Sequence, residues 1–235
     1  MERNYMRKFI VTLLIVVSVL ALNACSKSEP KTEDQKALYA IGVMMSKQME
    51  ILSLSPEELE YIKKGITDSV TGKKLIVEPE AYQQKVAEFA QARIKVSTEK
   101  QQEKSKVYLE SAAKEKGAQK TDSGLVYIPI KEGTGKQPKD TDMVRVHYQG
   151  TLIDGKVFDS SVKRGQPAEF PLNQVIKCWG EGITKMKVGG KAKVVCPSSL
   201  AYGDSGRPPI IPGGAALVFE VELLDIINPA DIKKK

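Results

Sequence analysis

The hydrophobic periodicity of the chain changes near Thr121, and this change divides the sequence into two regions. Before it, apolar residues recur every three or four positions, which is typical of amphipathic helices. After it, apolar and polar residues alternate in short runs separated by Gly and Pro, which is typical of antiparallel strands. A chain of 235 residues has room for both regions. The sequence therefore predicts an α+β protein with a helical first half and a sheet-forming second half.

The amino-terminal segment has the pattern of a bacterial secretory signal. A basic start precedes an apolar stretch over residues 9–22, which is short for a membrane-spanning helix. The stretch leads into Leu-Asn-Ala-Cys, which resembles the bacterial lipobox, where the cysteine thiol receives a lipid and becomes the new amino terminus. We therefore expect a signal peptide over residues 1–24 and a lipid anchor at Cys25. The alternative is a plain signal in which Cys25 is incidental.

The residues after the predicted anchor indicate where the protein resides. Ser26, rather than Asp, follows the cysteine. This resembles the pattern of Gram-negative lipoproteins that are sorted to the outer membrane. We expect the mature protein in the cell envelope, anchored in the outer membrane and facing the periplasm. Residues 25–36 are polar and are predicted to form a flexible tether, and residues 230–235 form a basic tail. No later apolar run is long enough to cross a membrane.

Residues 37–120 are predicted to form a helical region. Apolar side chains recur at helical spacing between Leu38 and Leu52, and Ser55 to Glu58 combine a capping box with Pro at the first helical position. These short helices cannot close a core of their own, and their Met-rich stripe needs a partner surface. We expect a second copy of the chain to supply it, so that this is a dimerisation region.

A long connecting helix is predicted from Pro79 to Gly117. At 1.5 Å per residue it would reach roughly 55 Å. The stretch 97–106 contains no apolar residue, and a helix that is polar on every side is usually one that bridges domains through solvent. The alternative is a disordered charged linker.

Residues 121–229 are predicted to form an antiparallel half-barrel sheet wrapped around a short helix. Alternation over residues 143–152 predicts a strand, and Asp154-Gly155 favours a hairpin turn. A short helix is expected over residues 179–186 and a final strand over residues 216–227.

Several classes of function are unsupported by the residue types present. The single histidine, His147, is predicted on the opposite strand face from Tyr148, so neither a Ser/His/Asp triad nor a multi-histidine metal site is indicated. No Gly-rich phosphate loop follows a strand. The net charge of +7 comes from lysines scattered over the sequence, which is typical of a solvated surface, and nucleic-acid binding is not expected of an exported protein. We therefore expect no cofactor, no metal and no nucleic-acid partner.

Five short blocks of the second half occur in a recognisable order and spacing. They are Val146 to Gly150, Asp154 to Ser161, Val175 to Trp179, Leu200 to Gly203, and Ile210 to Leu223. The ordered set resembles the FKBP-type peptidyl-prolyl cis-trans isomerases. The resemblance implies an enzyme that accelerates rotation about X-Pro bonds in proline-containing polypeptides and that needs no cofactor.

The resemblance also implies the residues of the site. Ile211 should close an apolar pocket from the loop after the fourth block. Five aromatic side chains should line this pocket: Tyr148, Phe158, Trp179, Tyr202 and Phe219. Where the family often has another aromatic residue, this sequence has Ala168, which leaves the width of that side and the peptide preference open.

Three further positions complete the implied site. Val175 and Ile176 should form a wall, with the backbone N–H of Ile176 binding a substrate carbonyl. Asp159 should sit at the rim, steadied by Arg164 or by Tyr148. All of these are expectations carried over from the family, position by position.

Two cysteines remain in the mature sequence, Cys178 and Cys196. An exported chain meets an oxidising compartment, so an even pair is a candidate disulfide. The alternative is two small buried thiols, because sequence alone does not show whether the two Cα atoms lie within about 7 Å.

The helical region together with the isomerase-like domain resembles the macrophage infectivity potentiator group of bacterial FKBPs. The resemblance implies a homodimer held by the amino-terminal helices, with a long helix leading to each isomerase domain. Two functional hypotheses follow. The first is an isomerase that assists folding of exported proteins, and the second is a non-catalytic holdase chaperone or proline-recognising binding module.

Overall fold

The structure is a computed structural model that describes residues 29–227. The predicted signal peptide, the lipid anchor at Cys25 and the basic tail lie outside the described residues. The described chain falls into two compact units, residues 29–46 and residues 47–227.

Three of the four α-helices of the described residues lie in the first part of the chain, and the fourth lies in the sheet region. Within the described range, the α-helices are α1 (Glu33–Met49), α2 (Pro56–Val70), α3 (Gln83–Ala112) and α4 (Lys177–Ile183). Short 3-10 turns occur at Glu50–Leu52, Pro79–Tyr82, Leu172–Gln174 and Ser198–Leu200. No helix between residues 29 and 227 is both long enough and apolar enough to cross a membrane.

Helix α2 begins at the predicted capping box. The Ser55 hydroxyl accepts a hydrogen bond from the Glu58 N–H at 3.2 Å, and the Glu58 carboxylate accepts one from the Ser55 N–H at 2.8 Å. These bonds satisfy two of the backbone donors that a helix start leaves unpaired. An ion pair between Arg93 and Glu58 then ties α3 to the start of α2.

Helix α3 is the predicted long helix, entered through the 3-10 turn that begins at Pro79. Its 30 residues span about 45 Å, and the polar stretch 97–106 is helical as expected. The helix ends at Ala112, short of the predicted Gly117. There the backbone tightens into 3-10-type bonds, such as that from the Glu115 N–H to the Ala112 carbonyl, before Gly117 takes a positive φ of 80°.

The second part is an antiparallel sheet. Its strands are β1 (Gln119–Lys120), β2 (Val126–Lys131), β3 (Met143–Leu152), β4 (Val157–Ser160), β5 (Ala168–Pro171), β6 (Lys191–Cys196) and β7 (Leu217–Ile227). The sheet order is β1-β2-β6-β7-β3-β4, and β5 also pairs with β3. Every second residue of β3 is buried, which confirms the alternation that predicted this strand.

The main core lies between the sheet and α4. It includes Val144, Val146, Ile183, Leu217 and Leu223, all at most 1% exposed. Helix α4 begins two residues before the predicted start and ends at Ile183 rather than Met186. The hydroxyl of Thr184, the next residue, donates a hydrogen bond to the carbonyl of Gly180 at 2.9 Å. A helical region followed by an antiparallel sheet around a short helix is the α+β fold class that the sequence predicts.

A second, smaller core covers another part of the sheet. It joins Ala112, at the end of α3, to Val126, Ile128, Val195 and Val218. Tyr108 and Leu109 pack against the same cluster. The end of the long helix is therefore part of the packing of the sheet domain.

The two mature cysteines are joined in the structure. Cys178 lies in the first turn of α4 and Cys196 ends β6, with 5.7 Å between their Cα atoms, a separation within the range that a disulfide spans. The bridge ties the helix that carries Trp179 to the sheet.

Candidate active site

Four of the predicted pocket aromatics form one continuous cluster. The ring centroids of Tyr148 and Trp179 are 4.9 Å apart, and those of Trp179 and Phe219 are 5.3 Å apart. Phe158 follows at 5.6 Å from Phe219. Each pair is close to perpendicular, the edge-to-face arrangement that aromatic quadrupoles favour. Strands β3, β4 and β7 and helix α4 thus bring residues distant in sequence to one place.

Phe170 is a fifth ring in this cluster, and the sequence interpretation did not include it. Its centroid lies 5.4 Å from Trp179 and 6.2 Å from Tyr148. The alternation of a strand could have predicted this position, because Phe170 is two residues after Ala168 on β5 and so shares its strand face. A ring is therefore present beside the position where the family often has an aromatic residue.

Gly150 makes the approach of two rings possible. A Cβ atom at this position of β3 would lie 2.6 Å from Cζ of Phe158 and 2.8 Å from Cε1 of Phe219. Both distances are well inside van der Waals contact, so any side chain here would displace the rings. Gly150 ends the first of the five FKBP-like blocks, but the sequence alone did not indicate why glycine is needed there.

The other predicted pocket residues contact the same core from loops. Val175 and Ile176 are half-buried in the segment that leads into α4, and the Ile176 carbonyl accepts the Trp179 N–H at 2.9 Å. Tyr202 is half-buried in the turn after Ser198–Leu200, and Ile211 is only 3% exposed. The structure thus brings all the sequence-predicted pocket residues against one apolar cluster.

Asp159 is held at the edge of the cluster by two partners rather than one. The Tyr148 hydroxyl donates to one carboxylate oxygen, and the Arg164 guanidinium pairs with the other. Arg164 also donates to the Tyr148 hydroxyl oxygen at 3.0 Å and lies 5.6 Å from the centre of its ring. The three side chains form a closed triangle of hydrogen bonds.

This triangle shifts the titration of its members. Partial burial tends to raise the pKa of the Asp159 carboxyl, but the hydrogen bonds from Tyr148 and Arg164 and the charge of Arg164 together hold the pKa below its ordinary value. Burial, joined by the hydrogen bond to Asp159, raises the pKa of the Tyr148 phenol. At neutral pH the rim therefore presents a carboxylate and a neutral phenol.

The side chain of His147 lies beside that of Ser161. Its Nδ1 lies 3.2 Å from the Ser161 hydroxyl, but that hydroxyl is fully buried and already accepts the Tyr148 N–H at 2.8 Å. Ser161 therefore ties the turn after β4 to β3. Between residues 29 and 227, no three side chains of His, Cys, Asp or Glu gather into a set that could ligate a metal ion. What the cluster offers chemically is an apolar, ring-walled surface with one carboxylate at its edge.

Comparison with known protein families matches both halves of the chain. Residues 134–224 match the family described as FKBP-type peptidyl-prolyl cis-trans isomerase. Residues 34–128 match the family described as the domain amino terminal to FKBP-type peptidyl-prolyl isomerase. The first match runs from β3 into β7 and includes α4, and the second covers the first three helices and continues through β1 into β2.

Individual relatives extend the match over most of the chain. The FKBP-type peptidyl-prolyl cis-trans isomerase FkpA of Aeromonas hydrophila is 43% identical over 216 residues, which are 87% of this chain and 80% of that protein. The peptidyl-prolyl cis-trans isomerase Mip of Coxiella burnetii is 34% identical over 94% of this chain and 99% of its own length. The crystal structure of FkpA from Escherichia coli, 39% identical, matches with a TM-score of 0.64 over 84% of this chain and 98% of that one. With fold, aromatic cluster and relatives in agreement, the chain belongs to the FKBP-type peptidyl-prolyl cis-trans isomerases.

Proposed function

We propose that this isomerase accelerates X-Pro rotation in exported polypeptides at the aromatic cluster described above. The single observation that carries the proposal is the convergence of Tyr148, Phe158, Trp179 and Phe219 from four separate elements into edge-to-face contact. Tyr202 and Ile211 pack against the same core from the loop before β7. Together these side chains provide the apolar walls for a proline ring.

The physics of the reaction suits such a pocket. Rotation about an X-Pro bond faces a barrier of about 18–20 kcal/mol, set by amide resonance, and takes tens to hundreds of seconds without a catalyst. Resonance places partial charge on the amide oxygen, which water stabilises in the planar ground state. The twisted transition state has lost that charge separation, so an apolar surface favours it over the planar form. Lowering the barrier by about 7 kcal/mol would accelerate the step roughly 10⁵-fold.

Polar groups at the edge of the pocket would orient the substrate. We assign the backbone N–H of Ile176 to a substrate carbonyl and the Tyr202 hydroxyl to the substrate backbone. The Asp159 carboxylate, held by Tyr148 and Arg164, would face the group beside the twisting bond. Neither a nucleophile nor a cofactor has a part in this scheme, because no covalent bond is made or broken.

A holdase activity is the second candidate, and one observation favours it. Apolar side chains of α1 and α2 are widely exposed in a single chain, among them Leu38, Met44, Tyr61 and Val70 at 67–82%. Such a surface could bind unfolded clients. We assign it first to a second copy of the chain, so that the helices would form a homodimer that presents two isomerase domains to a client.

The two candidates are separated by measuring both activities on the same variants. Isomerisation of a proline tetrapeptide and suppression of aggregation of an unfolded protein would be compared for Tyr202→Phe and for the matched control Tyr82→Phe, an exposed tyrosine in the 3-10 turn before α3. We expect Tyr202→Phe to slow isomerisation and to leave aggregation suppression unchanged. An unchanged isomerisation rate would contradict the assigned role of Tyr202.

The oligomeric state and the anchor are proposals of the same kind. We propose that the helices matching the amino-terminal domain form the dimer, which sedimentation of the mature chain would test. We further propose that Cys25 carries a lipid that holds the protein at the outer membrane, facing the periplasm. The relatives from Aeromonas hydrophila and Coxiella burnetii support a Gram-negative cell envelope. Loss of the membrane-bound fraction in Cys25→Ser cells is the expected result.

A further inference from the structure

Residues 201–216, the part of the connection between β6 and β7 that follows the 3-10 turn Ser198–Leu200, are closed by backbone hydrogen bonds and are called the site loop below. It carries Tyr202 and Ile211. The Arg207 N–H donates to the Ile211 carbonyl at 2.7 Å, and the Ile211 N–H donates back at 3.0 Å. The Gly214 N–H donates to the Gly203 carbonyl at 2.9 Å, which joins the two arms of the loop. A displacement of one arm is therefore passed to the other.

One face of α3 holds this loop from outside. Thr98, Gln102 and Ser105, called here the polar face of α3, are spaced four and three residues apart and so lie on one side of the helix. The Gln102 amide donates to the Asp204 carboxylate at 2.6 Å. This face belongs to the stretch that carries no apolar residue, and it contacts the loop through hydrogen bonds.

Ser105 is the most buried member of the polar face, at 4% exposed. Its hydroxyl donates to the Gly214 carbonyl at 3.0 Å and accepts the Ala216 N–H at 2.8 Å. One side chain thus satisfies two buried backbone groups at the end of the loop. Removing the hydroxyl would leave both groups unpaired, which is unfavourable in a buried site.

The helix lies very close to the loop backbone at two glycines. A Cβ atom on Gly213 would lie 2.7 Å from the Thr98 hydroxyl oxygen, and one on Gly214 would lie 2.6 Å from Cγ of Gln102. Gly214 also has a positive φ of 73°. The contact is therefore specific to a loop with glycine at both positions.

We propose that Ser105 is a positioning residue for the isomerase site, acting through the site loop on Tyr202 and Ile211. The inference rests on the proposed pocket, of which these two residues are part. Small displacements of groups that contact a reacting substrate are costly for rate, so a loop that is no longer held should lower catalysis. The long helix then serves the active site directly as well as linking the two regions.

The test compares Ser105→Ala with Ser111→Ala in the full mature chain, since Ser111 is an exposed serine on the same helix. We expect Ser105→Ala to lower kcat/KM for a proline tetrapeptide about fivefold, equivalent to about 1 kcal/mol. The amide NMR signals of Tyr202, Ile211 and Gly214 should shift, while those of β4 stay in place. Ser111→Ala should match the wild type in both respects. If Ser105→Ala fails to fold, Gln102→Ala, at an exposed position, should give a smaller loss with shifts in the same loop.

Three outcomes would overturn the inference. The first is a folded Ser105→Ala chain with wild-type kcat/KM. The second is a loss of activity without any shift at Tyr202 or Ile211, since Ser105 would then act on catalysis by a route other than the site loop. The third is a Phe158→Ala chain as active as the wild type, because the pocket itself would then be wrongly assigned. That third result is measured separately, so failure of the pocket and failure of the Ser105 contact are distinguishable.

Discussion

The sheet region buries its apolar side chains, whereas the first helices expose theirs to solvent. In the sheet region, Val146 and Leu223 are completely buried, and the core continues into the aromatic cluster. In the helical region, Leu38 and Val70 are 69% and 82% exposed. The sheet region, together with the end of α3, thus buries a core around the aromatic cluster, whereas the first helices leave apolar side chains exposed in a single chain, as the proposed dimer requires.

The largest expected difference concerns matched leucine truncations in the two regions. Leu223→Ala removes a fully buried side chain and should lower the free energy of unfolding of the sheet region by about 2–5 kcal/mol. Leu38→Ala, at an exposed position, should leave this quantity unchanged and should weaken self-association instead. Urea unfolding followed by fluorescence of Trp179, the only tryptophan, measures the first effect, and sedimentation measures the second. Equal effects on unfolding would contradict the comparison.

Reduction of the disulfide should act on the sheet region alone. The bridge between Cys178 and Cys196 closes a loop with a sequence separation of 18, for which the chain-entropy account gives about 3 kcal/mol. We expect the fluorescence-detected urea midpoint to fall when a reductant is added. A Cys178→Ala, Cys196→Ala double variant is the control, and its midpoint should not respond to reductant. A wild-type midpoint that is the same with and without reductant would refute this prediction.

Substitution of glycine by alanine should have opposite effects on stability in the two regions. Gly150→Ala would force apart the rings of Phe158 and Phe219, and overpacking of this kind costs about 1–3 kcal/mol. It should also lower isomerase activity. Gly65→Ala on α2 meets no atom within 4 Å and should favour the helix slightly, because Ala is the better helix former. Thermal unfolding of both variants and tetrapeptide assays test the pair, and a fully active Gly150→Ala chain would contradict the ring contact.

The smallest expected effect is a pH dependence from Asp159. The pKa of Asp159 is lowered in the folded protein. Its contribution to the free energy of unfolding is therefore complete above the unfolded pKa of about 3.9. That contribution is lost as the pH falls through the lower folded value. The effect should be small, since the side chains of Arg164 and Asp159 are 52% and 43% exposed. Melting temperatures between pH 6 and pH 3 should fall less steeply for Asp159→Asn than for the wild type; parallel profiles would remove Asp159 from the account.

Much of the fold follows from local sequence patterns. The alternation in β3 predicted which residues are buried, and Ser55 with Glu58 predicted where α2 begins, because both signals depend only on neighbouring residues. The ordered FKBP blocks supplied the residues that the structure gathers around Trp179. Those residues were carried over from the family resemblance and not from local spacing, because they are distant in sequence and meet only in the folded chain.

Other features depend on tertiary contacts that no local pattern carries. The need for Gly150 arises from rings on β4 and β7, and Phe170 joins the cluster through the pairing of β5 with β3. The polar stretch of α3 was interpreted as facing solvent, because docking by hydrogen bonds leaves no apolar stripe. Ser105 is nevertheless buried against the site loop.

The central claim is that an apolar, ring-walled pocket lowers the barrier to X-Pro rotation. The most direct measurement is kcat/KM of the mature chain for a proline tetrapeptide, for the wild type, Phe158→Ala and the exposed nearby control Val162→Ala. We expect the control to match the wild type and Phe158→Ala to lose activity by roughly tenfold or more, equivalent to about 1.4 kcal/mol of transition-state stabilisation. A folded Phe158→Ala chain with the wild-type rate would contradict the account.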